Sequence, residues 1–184
     1  MSRLNTFPSV DTAPAATQAT LNAVGKALGV VPNLFRTVAN SPAALKGYTG
    51  LSAASGEGTL SKQTLERIAL AVAEMNGCGY CLSAHTYLAR NVAKLDDVEI
   101  SANRNGRSND IKADAAVRFA VQVAQARGHV LDADLTAVKA AGFSDGEVVE
   151  IVLAVALNTF TNYLNEVAET EIDFPVVTAM RKAA

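Results

Sequence analysis

Apolar positions in this chain recur with helical spacing, and alternation of the strand type is almost absent. Alanine, the strongest helix former, fills 34 of the 184 positions and reinforces the same choice. Helix starts are well signalled. Ser41-Pro42 reads as an N-cap followed by proline at the first helical position, while Asp96 with Glu99 and Ser144 with Glu147 match capping boxes. Hydrophobic staples pair Leu60 with Leu65, Leu95 with Ile100 and Phe143 with Val148. Stops fall at Asn76-Gly77, Gly128 and Gly142, residue types that accept the left-handed conformation at a helix end. The pattern predicts an all-α multihelical bundle with helices near 17–28, 42–55, 61–75, 78–93, 96–104, 110–127, 132–141 and 144–168.

Between these lie a Gly-rich segment, 56–59, and a polar run, 103–110, the second of which is a candidate separator of two halves. An internal comparison points the same way. Laid on Ser144 to Leu164, the segment Ser61 to Cys81 matches at seven of 21 positions, from Ser61/Ser144 through Ile68/Ile151 to Tyr80/Tyr163. Two buried Ala/Val/Leu-rich helices converge easily in composition, but the shared cap and staple favour duplication. The expectation is one domain over 1–184, with an active first half at about 30–100 and a degenerate second half at about 110–170. The second half has Thr161, Leu164 and Ala168 where the first has Cys78, Cys81 and His85.

Composition narrows the class of partner. With 49% hydrophobic and 18% charged residues the chain reads as an ordinary globular protein, and a net charge of -2 with a pI near 5.7 leaves no positive surplus. Nucleic acid and anionic membrane surfaces are therefore not expected partners. No apolar run approaches the ~20 residues that cross a bilayer, and the first residues lack the features of a leader, so a cytoplasmic location is expected.

The chemistry gathers at Asn76-Gly77-Cys78-Gly79-Tyr80-Cys81-Leu82-Ser83-Ala84-His85. Cys78 and Cys81 are the only cysteines, and in a reducing cytosol such a close pair points to metal binding or redox chemistry rather than a structural staple. On one helix they stand at i and i+3, inside the ~4.4–6.8 Å Cα window in which a disulfide closes without moving the backbone. His85, four residues after Cys81, shares their face and brings an imidazole within reach of its sulfur. A nearby helix start favours thiolate, most directly at Cys78, and Gly77 and Gly79 are expected to leave both sulfurs open to a substrate. Glu66 lies twelve residues before Cys78 on a helix whose Leu65, Ile68, Leu70, Val72 and Met75 mark it as largely buried. Its carboxylate has two courses: to fold back beside Cys78 and His85 as proton acceptor, or to pair with Arg67 or Arg90 at the surface.

Glu66, the C-x-x-C pair and the histidine four residues beyond it resemble the active-site signature of the alkyl hydroperoxidase D branch of the carboxymuconolactone decarboxylase superfamily. Val31-Pro32-Asn33-Leu34-Phe35-Arg36, Asn162-Tyr163-Leu164-Asn165 and Asp173-Phe174-Pro175 resemble its peroxidase-related members, so the likeness covers most of the chain. It implies an all-α, homo-oligomeric thiol peroxidase. In that reading Cys81 attacks a small hydroperoxide, Cys78 resolves the sulfenic acid as a disulfide, and Glu66 and His85 relay protons. An external dithiol, thioredoxin-like or a dihydrolipoyl protein, returns the electrons. No G-x-G-x-x-G occurs, and no cofactor is expected. One position departs from the pattern: Tyr80 stands where the family has histidine before the second cysteine, a phenol able to donate to a sulfur or peroxide oxygen but a poorer relay at neutral pH.

Rival readings attach to the same residues. Cys78, Cys81, His85 and Glu66 amount to four ligands for zinc, although structural zinc sites draw ligand pairs from separate loops. A redox-sensing helical protein without turnover is the non-enzymatic alternative, and the superfamily's decarboxylase branch has no use for the dithiol. His129, after Gly128, reads as a surface group at a helix end. Asn158, Asn162, Tyr163 and Asn165 are candidates to line a cleft opposite Cys81.

Overall fold

The computed structural model describes residues 2–180. Among these every regular element is helical. In chain order they are α1 (Ala15–Leu28), α2 (Asn33–Val38), α3 (Pro42–Gly56), α4 (Lys62–Met75), α5 (Gly79–Asn91), α6 (Asp97–Arg104), α7 (Ile111–Gln125), α8 (Asp132–Ala140) and α9 (Asp145–Ala168), preceded by a 3-10 turn at Val10–Thr12. The signalled starts are used: Ser41, Ser61, Asp96 and Ser144 each accept a backbone N–H from inside their helix, and Asp110, which carried no such signal, caps α7 in the same way. The staple residues Leu60, Leu95 and Phe143 are all buried.

Helix α4 is the axis. It packs against α5, α6, α7 and α9, and its side chains enter three apolar clusters. Ile68 and Val72 meet Ala116, Phe119 and Ala120 of α7 and Ile151, Ala154 and Val155 of α9. Leu70 packs with Ala89, Ala93, Leu95 and Ile100, while Ala73 joins Cys78, Tyr80, Cys81 and Leu82. Small residues on several faces let neighbours approach α4 from all sides, and truncating Ile68, which is fully buried, would cost roughly 2–5 kcal/mol.

Three expectations change. Helix α2 was unmarked because its cap comes from far away: the Asn33 N–H donates to Asp173 Oδ2 at 2.7 Å, across 140 residues. The capping box at Asp96 is half formed, since Asp96 accepts the Glu99 N–H but the Glu99 carboxylate turns inward. There it accepts from Arg67 Nε at 2.6 Å, Asn103 Nδ2 at 2.9 Å, Ser108 Oγ at 2.5 Å and the Asn109 N–H at 2.8 Å. Segment 103–110 begins inside α6, which runs through Arg104, and Glu99 ties down Ser108 and Asn109 in the loop beyond it. The third concerns membranes: α9, with mean hydropathy 1.2, is long and apolar enough to cross one by length and composition. In this fold one face of it packs on α3, α4, α5 and α7 and buries Asn158, Asn162 and Asn165, while a third of its apolar window is buried in all. It is also continuous where the aligned first-half segment breaks between α4 and α5.

After α9 the described residues fold back on the bundle. Residues 170–180 form a strap fixed by Val177 N–H to Ser83 Oγ (2.9 Å), Arg104 Nη2 to the Thr178 carbonyl (2.8 Å) and Met180 N–H to Glu74 Oε1 (2.5 Å). Ile172, Phe174 and Val177 pack on the cluster that contains both cysteines.

Candidate active site

The break between α4 and α5 sets the cysteines in place. Asn76 closes α4, Gly77 takes φ +69°, and the Gly77 and Cys78 N–H groups donate back to the carbonyls of Glu74 and Ala73. This pair of reversed bonds ends the helix with a left-handed glycine, and a side chain at Gly77 would strain it. The chain then restarts at once with Cys78 as the cap of α5, its sulfur accepting the Cys81 N–H at 3.3 Å.

The two sulfurs lie 2.8 Å apart, both as free thiols, with Cys78 donating to Cys81. Closing them to a disulfide takes a movement of about 0.8 Å. They are not open to solvent: Cys78 is 0% and Cys81 3% exposed. The glycines do not uncover them, because the strap lies over Gly79, where an added Cβ would stand 3.8 Å from Ile172 Cδ1.

Electrostatics separate the pair. The hydrogen bond from Cys78 takes Cys81 down to about 7; burial opposes, and the Asn165 amide, the charge of His85 and the Asn162 amide assist. Cys78, spending its proton on Cys81 and buried, is pushed far up. Position at the helix start favours Cys78 as thiolate, yet a thiol donor at 2.8 Å outweighs a partial dipole charge.

Glu66 takes the inward course. Its Oε2 lies 2.8 Å from His85 Nδ1, while Arg67 is held by Glu99 and Arg90 by Asp97. Burial works against charge on the imidazole, but Glu66, by charge and hydrogen bond, and then Cys81 outweigh it and raise the His85 pKa. With Nδ1 engaged, Nε2 is the nitrogen left to exchange protons.

Tyr80 stands elsewhere than expected. Its hydroxyl donates to Asp173 Oδ1 at 2.8 Å and accepts the Leu34 N–H at 3.1 Å, and its ring meets Phe174 edge-on at 5.8 Å. It is therefore an anchor between strap, α2 and α5, with no hydroxyl left over for a sulfur. The phenol near the reacting groups is Tyr48 of α3, between Phe35 and Phe160. Burial, followed by the negative charges of Cys81 and Glu66, raises its pKa and keeps it protonated. Nothing local in the sequence marks Tyr48, since helix packing alone brings α3 there.

From α9, Asn165 Nδ2 donates to Cys81 Sγ at 3.3 Å, and Asn162 accepts from Asn76 Nδ2 at 2.9 Å. Asn158 instead returns its amide to the Ala154 carbonyl. Tyr163, grouped with these asparagines by the sequence, points outward at 60% exposure, and His129 is exposed as expected.

Two adjoining cavities lead to His85. One, of about 540 Å³, has an aromatic wall of Phe35, Tyr48, Tyr80, Tyr87 and Phe174; the other, of about 310 Å³, includes Glu66, Asn158 and Thr161. His85, Tyr48 and Phe35 border both. The cleft of about 290 Å³ beside Arg67, Lys112 and Phe143 has neither cysteine nor histidine. Among the described residues no three His, Cys, Asp or Glu side chains converge as a metal cage, so the four zinc candidates do not surround one point.

Comparison with known proteins agrees with this architecture. Residues 42–126, which contain Glu66, both cysteines and His85, match the model of the carboxymuconolactone decarboxylase family. None of the curated proteins gives a match. Among solved structures, the alkylhydroperoxidase AhpD core of an uncharacterized peroxidase-related protein from Ralstonia eutropha JMP134 superposes with a TM-score of 0.83 at 24% identity, over 94% of this chain and 92% of that one. An uncharacterized peroxidase-related protein from Silicibacter sp. TM1040 gives 0.80 at 24% identity, over 92% and 91%. The debrominase Bmp8 gives 0.75 at 19% identity, over 94% and 91%. At these identities the likeness establishes the fold, and the family match adds the site-bearing helices. Segment 42–126 thus matches the carboxymuconolactone decarboxylase family, and the chain as a whole has an AhpD-like all-α fold.

Proposed function

We propose that this protein is a thiol-dependent hydroperoxide reductase. The observation that carries the reading is the asymmetric thiol pair, with Cys78 donating to Cys81 at 2.8 Å beside a Glu66–His85 ion pair at a cavity. His85 takes the Cys81 proton, and the thiolate attacks the terminal oxygen of the hydroperoxide. The S–O bond forms as the O–O bond breaks, and the departing alkoxide takes the proton from the imidazolium that Glu66 supports. Cys78 then attacks the sulfenic sulfur, forming the disulfide and releasing water. The alcohol, water and disulfide balance one hydroperoxide and two thiols. An external dithiol, thioredoxin-like or dihydrolipoyl, reduces the disulfide.

Further parts of the proposal are a homo-oligomeric state and a cytoplasmic location. The first is supported by a stripe on α9 where Val149, Val152, Phe160, Tyr163 and Val167 are exposed. Light scattering on the purified protein tests it, a monomer at micromolar concentration refuting it.

The test of the activity is intact mass and free-thiol count of reduced, chelator-treated protein before and after one equivalent of an organic hydroperoxide. The expected result is rapid loss of both thiols and of two hydrogens; retained thiols overturn the reading. A second reading, reductive debromination, is favoured by the aromatic-walled cavity beside His85 and by the likeness to a debrominase of which a cysteine-to-alanine variant is solved in complex with 2,3,4-tribromopyrrole. The same dithiol supplies two electrons to exchange carbon–bromine for carbon–hydrogen, releasing bromide and ending as the same disulfide. Bromide release from tribromopyrrole, with no consumption of hydroperoxide, would select it.

A further inference from the structure

The sulfur of Cys81 has neighbours that the thiol chemistry above does not use. Asn162 and Asn165 of α9, three residues apart and so on one face, are 0% and 2% exposed. Asn165 spends one amide hydrogen on Cys81 Sγ, and its Oδ1 has no hydrogen-bond partner. Asn162 is oriented by Asn76, whose Nδ2 donates to its Oδ1; its own Nδ2 completes no hydrogen bond of ordinary geometry, although the amide lies near enough to Cys81 to help lower that thiol's pKa. Native interiors seldom tolerate buried polar atoms of this kind unless something arrives to meet them. Here one orphaned donor and one orphaned acceptor belong to the two residues flanking the reacting sulfur. A hydroperoxide brings one O–H donor and acceptor oxygens; a sulfenic acid brings the same, and its anion brings acceptors alone.

We infer that Asn162 and Asn165 form an amide cradle for the reacting sulfur: Asn165 Nδ2 holds the thiolate, and Asn162 Nδ2 with Asn165 Oδ1 receives the oxygen that the sulfur acquires. The inference rests on Cys81 being the attacking thiol of the proposed function. In the reduced protein the Asn165 N–H is a charge-assisted donor to sulfur. As the O–O bond breaks and oxygen moves to sulfur, the free Asn162 N–H gains its partner. Donors fixed in advance where charge will appear need no reorganisation during the reaction. In this arrangement the degenerate half of the chain supplies the polar lining for the reactive half.

The test uses full-length Cys78→Ser protein, in which Cys81 is the sole thiol. Its alkylation rate by iodoacetamide is followed against pH, an arm that involves no peroxide. Asn165→Leu is expected to move the midpoint up by about one unit, a roughly tenfold lower rate below it. Asn165→Gln, which keeps a donor, restores most of the rate. In a second arm, one equivalent of organic hydroperoxide generates the sulfenic acid, whose lifetime is read by mass after trapping. Asn162→Leu is expected to shorten that lifetime several-fold while moving the alkylation midpoint less than Asn165→Leu does. An unchanged midpoint in Asn165→Leu, or an unchanged lifetime in Asn162→Leu, with helical circular dichroism intact, overturns the cradle.

If a leucine variant fails to fold, the side-chain amide resonances of the two asparagines in Cys78→Ser protein take its place. Both should shift as Cys81 titrates, and the Asn162 pair again on oxidation; silence in either overturns the inference. A shifted midpoint in protein inert to hydroperoxide sinks the peroxidase reading and leaves the thiolate half of the cradle standing. Normal peroxide consumption with no shift sinks the cradle alone.

Discussion

Replacing Cys78 by alanine tests which sulfur attacks. The hydrogen bond from the Cys78 thiol is the largest cause holding Cys81 at about 7, against an ordinary value of 9.0. Without it, burial still pushes upward, while Asn165, His85 and Asn162 pull down, so the Cys81 midpoint should return close to that ordinary value. A thiol with pKa about 7 is half ionised at pH 7, and one with pKa about 9 is roughly 1% ionised, so the alkylation rate should fall about fifty-fold. Cys78→Ser keeps an O–H donor and should lose much less. The assay is iodoacetamide labelling between about pH 5 and pH 10, read by intact mass so that each thiol is counted. Cys81→Ser gives the converse: Cys78, still buried beneath the strap, should label only in alkali. Two results would refute the reasoning. One is a Cys78→Ala midpoint unmoved from about 7; the other is Cys78 in the Cys81→Ser protein labelling as readily as Cys81 does in the wild type, which would make the helix start the dominant influence.

Three further outcomes are expected. Glu66→Gln should lower the His85 imidazolium midpoint in an NMR titration; because Glu66 raises that pKa, its stabilisation is complete below the ordinary ~6.5 and is lost as pH rises through the raised value. The melting-temperature gap between wild type and variant should therefore narrow with rising pH, and a gap that widens contradicts the ion pair. Glu99 is 6% exposed; burial pushes its carboxyl up, but Ser108, Asn103, Asn109 and Arg67 bring it down from 4.5 to about 2. Glu99→Gln should then cost roughly 3 kcal/mol, or about 6–12 °C in Tm, with the gap full above ~4.5 and closing as pH falls through about 2. Tyr80→Phe orphans the buried Leu34 N–H, should cost about 1–3 kcal/mol, and should speed hydrogen exchange across 170–180. It should leave the Cys81 midpoint in place, and a shifted midpoint would return Tyr80 to the sulfur.

Local features were legible in the sequence because they depend on spacing along one backbone. The caps at Ser41, Ser61 and Ser144, the stops at Gly77, Gly128 and Gly142 and the placing of Cys81 and His85 on one stretch of helix, with Cys78 as its cap rather than inside it, involve residues within a few positions of each other. The resemblance of Glu66, C-x-x-C and histidine to a known family pointed to the superfamily that the family match supports. Glu66 lay at the limit, since spacing allowed it either His85 or an arginine, and the fold-back at Gly77 with Arg67 committed to Glu99 decided for His85.

Whatever depended on residues distant in the chain was decided by tertiary structure alone. Helix α2 exists with a cap supplied by Asp173; Tyr80 gives up its hydroxyl to the same carboxylate; the strap buries sulfurs that two glycines had suggested were open. Asn165 reaches Cys81 from 84 positions away, and Tyr48 comes to the site on another helix. Helical periodicity fixes which residues share a face, but not which faces meet. That is settled by packing apolar faces around α4 at close density while every buried polar group seeks a partner, a condition on the whole chain at once.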